Sequence, residues 1–301
     1  MTGGPERHVE YYLYIRSVVI SFWVLSMDDQ LEKRIKDENR ILHDFSADSY
    51  DNWPPYVTKQ NNLMFYTDIK LISKLLGKET LTALECGCGS GKLTLNLVNN
   101  GFHVDAVDIS CKMVDINREK MNQFNLQKTP INFHVSDVDE FLIKPGHQYD
   151  LICFSAVLHH IGDYLKTLKS ACTRVSRGGF IYIGGEPQLQ KGKTWVHKSI
   201  DFLSDKSIIG YKFLKNPGNS IRFVKHAVFK PKTGSKINVT LAEFHAVDGV
   251  DDKQIIQLLK DEGFKIICHE PFLHHPFEIF EITNRLYRDG PKNFKIIAQK
   301  N

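Results

Sequence analysis

The sequence predicts an α/β protein built on a parallel sheet covered on both faces, and three observations lead there. Short apolar runs alternate with amphipathic helical stretches from residue 81 onward, a glycine-rich turn joins the first run to the first helix, and the alternation resumes near the C-terminus after an irregular interval. Strand–helix alternation at this spacing is the signature of βα units, whose strands lie between two helical layers. The expected strands are 81–85, 104–108, 131–135, 151–155 and 179–183, with helices over 91–99, 112–124 and 163–175. A further helix over 251–262 and strands over 265–269 and 293–299 complete the pattern.

Upstream, a highly charged helix is expected over 28–42, then a polar and aromatic stretch in which Pro54 and Pro55 stop regular structure, then a helix over 64–76 with Gly77 as its stop. Residues 11–26 are mostly apolar but are split by Arg16, leaving an uncharged run too short to span a bilayer. They read as an extension of uncertain role, with a membrane-surface anchor as the alternative. The expected organisation is thus 1–26 as extension, 27–80 as an N-terminal helical lid, 81–186 with 251–301 as the α/β core, and 187–250 as an insertion.

Composition sets limits. With 301 residues, 42% hydrophobic and 25% charged, the chain fits an ordinary globular protein and excludes collagen-like, disulfide-scaffold and wholly disordered classes. A net charge of +4 does not argue for nucleic acid by itself. The distribution is more informative: Lys206, Lys212, Lys215, Arg222, Lys225, Lys230, Lys232 and Lys236 fall in a stretch without an acidic residue, and without these eight the chain stands at −4. The six cysteines, Cys86, Cys88, Cys111, Cys153, Cys172 and Cys268, are scattered and suit free thiols in a reducing, cytoplasmic setting.

The segment LTALECGCGSGKLTLNL carries the chemistry. A strand ends at Glu85, glycines follow at 87, 89 and 91, and a helix begins. Such glycines permit a tight turn and close approach of a ligand to the backbone. The dinucleotide fingerprint does not fit, because its third glycine falls on Lys92, and the P-loop fails because Leu93 follows Gly91-Lys92. The spacing is acid-x-G-x-G-x-G.

This pattern resembles motif I of the class I S-adenosylmethionine-dependent methyltransferases, small-molecule type. Further pieces match in order: VDAVDIS ending the second strand, VSDVDEF after the third, YDLICFSAVLHH at the fourth and RVSRGGFIYIGGEP entering the fifth. The resemblance implies a Rossmann-like, doubly wound seven-stranded sheet with an antiparallel last strand and a cap inserted after the fifth strand. It implies S-adenosylmethionine as cofactor, held by Glu85, Gly87, Cys88, Gly89 and Gly91 on the turn. Asp108 would bind the ribose hydroxyls with Ile109 beside it, Asp137 the adenine amino group and Val138 its neighbouring nitrogen, while Phe154 would stand on the fourth strand. Tyr50 and Trp53 are expected on the lid, where aromatic faces suit a sulfonium.

His159 and His160 follow the fourth strand and are the candidates for a catalytic base or acceptor contact, with ordinary loop packing as the alternative. The cluster Cys268, His269, His274, His275 has none of the usual zinc spacings, so no metal is expected. The aromatic and basic content of 187–250 suits a cap over a small, acidic acceptor, methylated on O or N. An RNA methyltransferase using the basic 206–236 segment is the runner-up, weakened by the lack of an appended RNA module. A non-catalytic partner-binding module of the same fold is the third reading.

Overall fold

The computed structural model describes residues 29–51, 55–124, 130–189, 245, 249–272 and 293–301. The N-terminal part holds α1 (29–46), a short 3-10 turn Ala47–Ser49 and α2 (Pro55–Leu76). The core follows as β1 (Leu81–Cys86), α3 (Lys92–Asn99), β2 (Phe102–Asp108), α4 (Cys111–Gln123), β3 (Ile131–Val135), α5 (Val138–Ile143), β4 (Tyr149–Ser155), α6 (Tyr164–Arg174) and β5 (Val175–Pro187). It closes with α7 (Asp252–Asp261), β6 (Phe264–Phe272) and β7 (Asn293–Lys300).

The seven strands form one sheet in the order β3-β2-β1-β4-β5-β7-β6. Strands β1 to β5 are parallel, and β7 runs antiparallel between β5 and β6, as the resemblance implied. Central strands are buried almost continuously, β4 over Tyr149–Phe154, because helices cover both faces. One face packs Ile69, Ile72, Leu93 and Leu97 against Ala83, Leu151 and Phe180; the other packs Leu168, Ala171, Ile255 and Leu259 against Leu84, Ile152 and Ile181. The strand order reverses between β1 and β4, and such a reversal opens a crevice at the carboxyl ends of those strands.

Three elements differ from expectation. Helix α2 starts at Pro55, where the sequence predicts a stop to regular structure; at a first helical position proline's missing N–H costs nothing and its fixed φ suits the helix. Strand β5 runs 13 residues instead of five, reaching Glu186 and Pro187. Helix α5 is absent from the sequence pattern; Asp137 caps it by accepting from the Glu140 N–H at 3.1 Å.

The chain leaves β5 and returns beside itself: the Leu189 N–H donates to the Val250 carbonyl at 2.8 Å and the Val250 N–H to the Pro187 carbonyl at 2.7 Å. The basic residues 206–236 and Trp53 lie outside the described residues, as do His274 and His275. All six cysteines are free. Among the described residues, no helix is long and apolar enough to cross a membrane, and no three His, Cys, Asp or Glu side chains are grouped to hold a metal.

Candidate functional site

The glycine turn is held down by β2. The Gly87 and Cys88 N–H groups both donate to the Val107 carbonyl, at 2.8 and 2.9 Å, so the turn folds over the end of the neighbouring strand. Gly87 has φ +71°, and a Cβ there would stand 2.4 Å from Val157 Cγ2. Only glycine satisfies both conditions. Gly91, at φ +88°, sits just before α3, and a Cβ on it would meet Asn117 Oδ1 at 2.2 Å.

Asp108 ends β2 facing this turn. Its carboxylate accepts from the Gly89 N–H and the Ser110 N–H, each at 2.8 Å, and it is 7% exposed. Burial pushes its carboxyl above the usual range, opposed by these backbone donors. Glu85 is more deeply placed, at 2% exposure, and the Thr94 hydroxyl donates to it at 2.6 Å. Burial, and more weakly the nearby Asp108, push the Glu85 carboxyl up to about 8 against the Thr94 bond.

Helix α1 roofs the crevice. Lys36 Nζ contacts Glu32 at 2.9 Å, Asp137 at 3.0 Å and Asp139 at 3.3 Å. Burial pulls the Lys36 ammonium down, but the bonds to Glu32 and Asp137 outweigh it and hold the group above its ordinary value. Asn39 Nδ2 donates to the His160 carbonyl at 2.7 Å, and the Ser110 hydroxyl donates to Asp44 at 2.6 Å. His43 lies edge-on to His160, with centroids 4.8 Å apart, and to Tyr50 at 5.9 Å. Burial, with His159 adding to it and Asp44 opposing, brings His43 down to about 4, so its imidazole is neutral at pH 7.

Past β4 the chain turns sharply at Ala156, the only described non-glycine residue with positive φ, at +52°. That turn drops residues 157–159 onto Glu186 at the end of β5. The Val157 and Leu158 N–H groups donate to Glu186 Oε1 at 2.7 and 3.0 Å, and the His159 N–H donates to Oε2 at 3.2 Å. The His159 ring adds a fourth contact, Nδ1 to Oε2 at 2.8 Å, while Glu186 is fully buried. A carboxylate only accepts, so Nδ1 carries the proton and Nε2 the lone pair.

These parts border one crevice with two adjoining halves. The first is bordered by Ile35, Lys36, Asn39, Asp108, Ile109, Asp137 and Val138. The second is bordered by Glu85, Cys88, Asn61, Met64, Phe65 and His159. Gly87, Gly89, Tyr50, His43 and His160 border both. The structure therefore brings most of the expected site residues together. Two described residues are exceptions: Phe154 is fully buried in the core cluster, Gly91 caps α3 against Asn117, and neither borders a half of the crevice.

Residues 60–184 match the family model described as a methyltransferase domain. This stretch carries the class I methyltransferase fold. The chain is also similar to the ubiquinone biosynthesis O-methyltransferase of Coxiella burnetii (strain RSA 493 / Nine Mile phase I), 28% identical over 142 residues. That alignment covers 47% of this chain and 59% of the relative, so the chain spans about three fifths of the relative's length. The enzyme of the same name from Citrobacter koseri is 23% identical over 184 residues, covering 59% and 73%.

Two solved structures share the fold of residues 60–184 and their flanks. A putative sarcosine dimethylglycine methyltransferase from Galdieria sulphuraria gives a TM-score of 0.53 at 15% identity, covering 88% of this chain and 98% of that one. Magnesium protoporphyrin IX methyltransferase from Synechocystis PCC 6803 with bound SAH gives 0.52 at 15% identity, covering 88% and 100%.

Sequence reasoning misses two contributors to the crevice. Glu186 lies within the fifth-strand motif with no role expected of it, although a carboxylate closing an apolar strand is a visible signal. On α1, the spacing of Glu32, Ile35, Lys36, Asn39 and His43 places one stripe toward the crevice, and that mixed stripe is hidden among many charges.

Proposed function

We propose that this protein is an S-adenosylmethionine-dependent methyltransferase that methylates a hydroxyl oxygen on a small aromatic acid. The observation that carries this reading is the His159–Glu186 pair standing at the same crevice as Asp108 and the glycine turn. The residues present fit the cofactor. Asn39 Oδ1 is buried without a partner and borders the first half, where an N–H or O–H donor would satisfy it. On this reading Asp108 would accept from the ribose diol, Asp137 and Val138 would meet the adenine edge, and the Gly87–Gly89 backbone would allow close approach.

When bound, the cofactor supplies an electrophilic methyl group on a sulfonium. The protein's own work is alignment and proton handling. An amine acceptor needs no strong base, whereas a hydroxyl loses its proton as it attacks. A histidine with Nδ1–H fixed on a buried carboxylate suits that proton transfer, since Nε2 accepts the acceptor's proton and Glu186 stabilises the imidazolium that forms. Phe65, Met64 and Tyr50 border the second half and suit an aromatic ring. The acidic character of the acceptor rests on the basic composition of 206–236. The relatives' printed description as O-methyltransferases points the same way.

The test is methyl transfer from labelled S-adenosylmethionine to separate panels of phenolic acids, amines and bulk RNA. Turnover confined to phenolic acids, lost in His159→Ala, is the expected result. Turnover of amines that survives His159→Ala sinks the oxygen assignment, and salt-sensitive turnover of RNA sinks the small-molecule one.

A further inference from the structure

Glu85 occupies an electrostatic position that the methyl-transfer reading leaves unexplained. It is the penultimate residue of β1, just before the glycine turn, is 2% exposed, and borders the second half of the crevice. The groups packed around it offer no positive charge. From α3 come the Thr94 hydroxyl at 2.6 Å and the Thr94 backbone N–H; behind them Asn117 of α4 donates to the Thr94 oxygen at 2.8 Å. From β2 comes Asp108, a second carboxyl. From β1, the turn and β4 come the thiols of Cys86, Cys88 and Cys153, which burial pushes well above the ordinary range and therefore keeps neutral. Lys92 borders the same half but is held by Asp51 at 3.2 Å. Among the described residues, no Lys, Arg or His is paired with Glu85.

A buried carboxylate without a counter-cation is strongly disfavoured and takes up a proton instead. Arrival of a cation at the crevice reverses that balance. S-adenosylmethionine and S-adenosylhomocysteine both carry an ammonium on their amino-acid end, while methylthioadenosine shares the nucleoside and lacks the amino acid.

We propose that the Glu85 carboxyl is protonated in the free protein and surrenders its proton to solvent when the ammonium end of the cofactor binds, making cofactor binding proton-linked. The O–H bond of the carboxyl breaks, the proton passes to buffer, and the carboxylate left behind faces the ammonium. This rests on the cofactor reading of the crevice. It adds that affinity depends on pH through a residue that handles no proton of the acceptor.

Linkage fixes the sign. With the Glu85 carboxyl at about 8 in the free protein, affinity rises close to tenfold for each pH unit between 6 and 7 and levels off above about 8. Other titrating groups face the crevice: His43, His159 and His160 above the turn, and Asp108 and Asp137 on its rim. The experiment therefore needs variants as well as wild type.

The test is calorimetric titration of the full chain at pH 7 in phosphate and in Tris, whose ionisation heats differ. S-adenosylhomocysteine is expected to release close to one proton and methylthioadenosine close to none. Glu85→Gln is expected to abolish the release and flatten the pH dependence. Binding of S-adenosylhomocysteine without release, equal release by methylthioadenosine, or unchanged release in Glu85→Gln overturns the proposal. If Glu85→Gln does not fold, the wild-type comparison of the two ligands decides alone. No binding of S-adenosylhomocysteine by folded wild type refutes the cofactor reading itself, and the proposal falls with it.

Discussion

Replacing Glu186 by glutamine tests whether the carboxylate works through His159. The wild-type carboxylate accepts four donors, two on each oxygen. Glutamine keeps the Val157 and Leu158 contacts on its oxygen but turns an NH₂ toward the His159 N–H and ring. The ring can adapt only by moving its proton from Nδ1 to Nε2, which removes the lone pair that the proposed base needs. General-base catalysis is worth roughly 10²–10⁴-fold, so kcat is expected to fall by about that factor, equivalent to about 3–5 kcal/mol of transition-state stabilisation. The backbone N–H of His159 loses its acceptor, costing about 1–3 kcal/mol of stability. That corresponds to a drop of several degrees in melting temperature, leaving a folded enzyme.

The assay is steady-state turnover of the best phenolic acid with calorimetric binding of S-adenosylhomocysteine as control. The expected pattern is a large loss in kcat with little change in acceptor KM or ligand affinity. The double variant Glu186→Gln/His159→Ala should be no slower than His159→Ala, because both act through one base. Turnover of Glu186→Gln within about threefold of wild type refutes the reasoning. Full additivity with His159→Ala does so as well.

Asp108→Ala should abolish measurable S-adenosylhomocysteine binding by calorimetry, because it removes the diol acceptor and frees the Gly89 and Ser110 N–H groups that shape the turn. Gly87→Ala should destabilise by about 2–4 kcal/mol in thermal unfolding, from the positive φ and from the 2.4 Å approach to Val157. Adding Val157→Ala should recover part of that loss, and simple addition of the two effects would contradict it. Glu85 makes a pH prediction for the free protein: its folded value of about 8 lies above its ordinary 4.5, so its contribution to stability is complete below 4.5 and is lost as pH rises through 8. Melting temperature in Glu85→Gln should accordingly decline less between pH 5 and 8 than in wild type.

The fold was legible because its strands are buried on both faces and read as apolar runs, while helices such as α6 and α7 carry clear amphipathic periods. The grouping of the glycine turn with the acids at 85, 108 and 137 was legible because these residues sit at fixed offsets from strand ends. Contacts between distant segments were not. Glu186 reaches residues 27 to 29 positions earlier, a pairing created by the β4–β5 register and invisible in either motif alone. Phe154 failed for the converse reason: it ends a strand near the site, yet strand alternation turns it into the core. Likewise α1 reads only as a highly charged helix of the lid, and its docking over β2 and α5 shows which charges face inward.

The turn after β4 joins the two halves of the crevice mechanically. Glu186 holds residues 157–159 from below, Asn39 of α1 holds the His160 carbonyl from above, and His43 packs edge-on against the His160 ring, itself 4.0 Å from the His159 ring. A change in how α1 sits over Asp108 and Asp137 is therefore expected to reach His159 through one hydrogen bond and the edge-on and tilted contacts of three imidazoles. Asn39→Ala separates binding from positioning: it removes the Asn39 Oδ1 acceptor on the first half and the tether to His160 together. If the tether matters, kcat falls along with S-adenosylhomocysteine affinity. If the first half acts alone, affinity falls while kcat at saturating cofactor stays at the wild-type level, and the mechanical link is refuted.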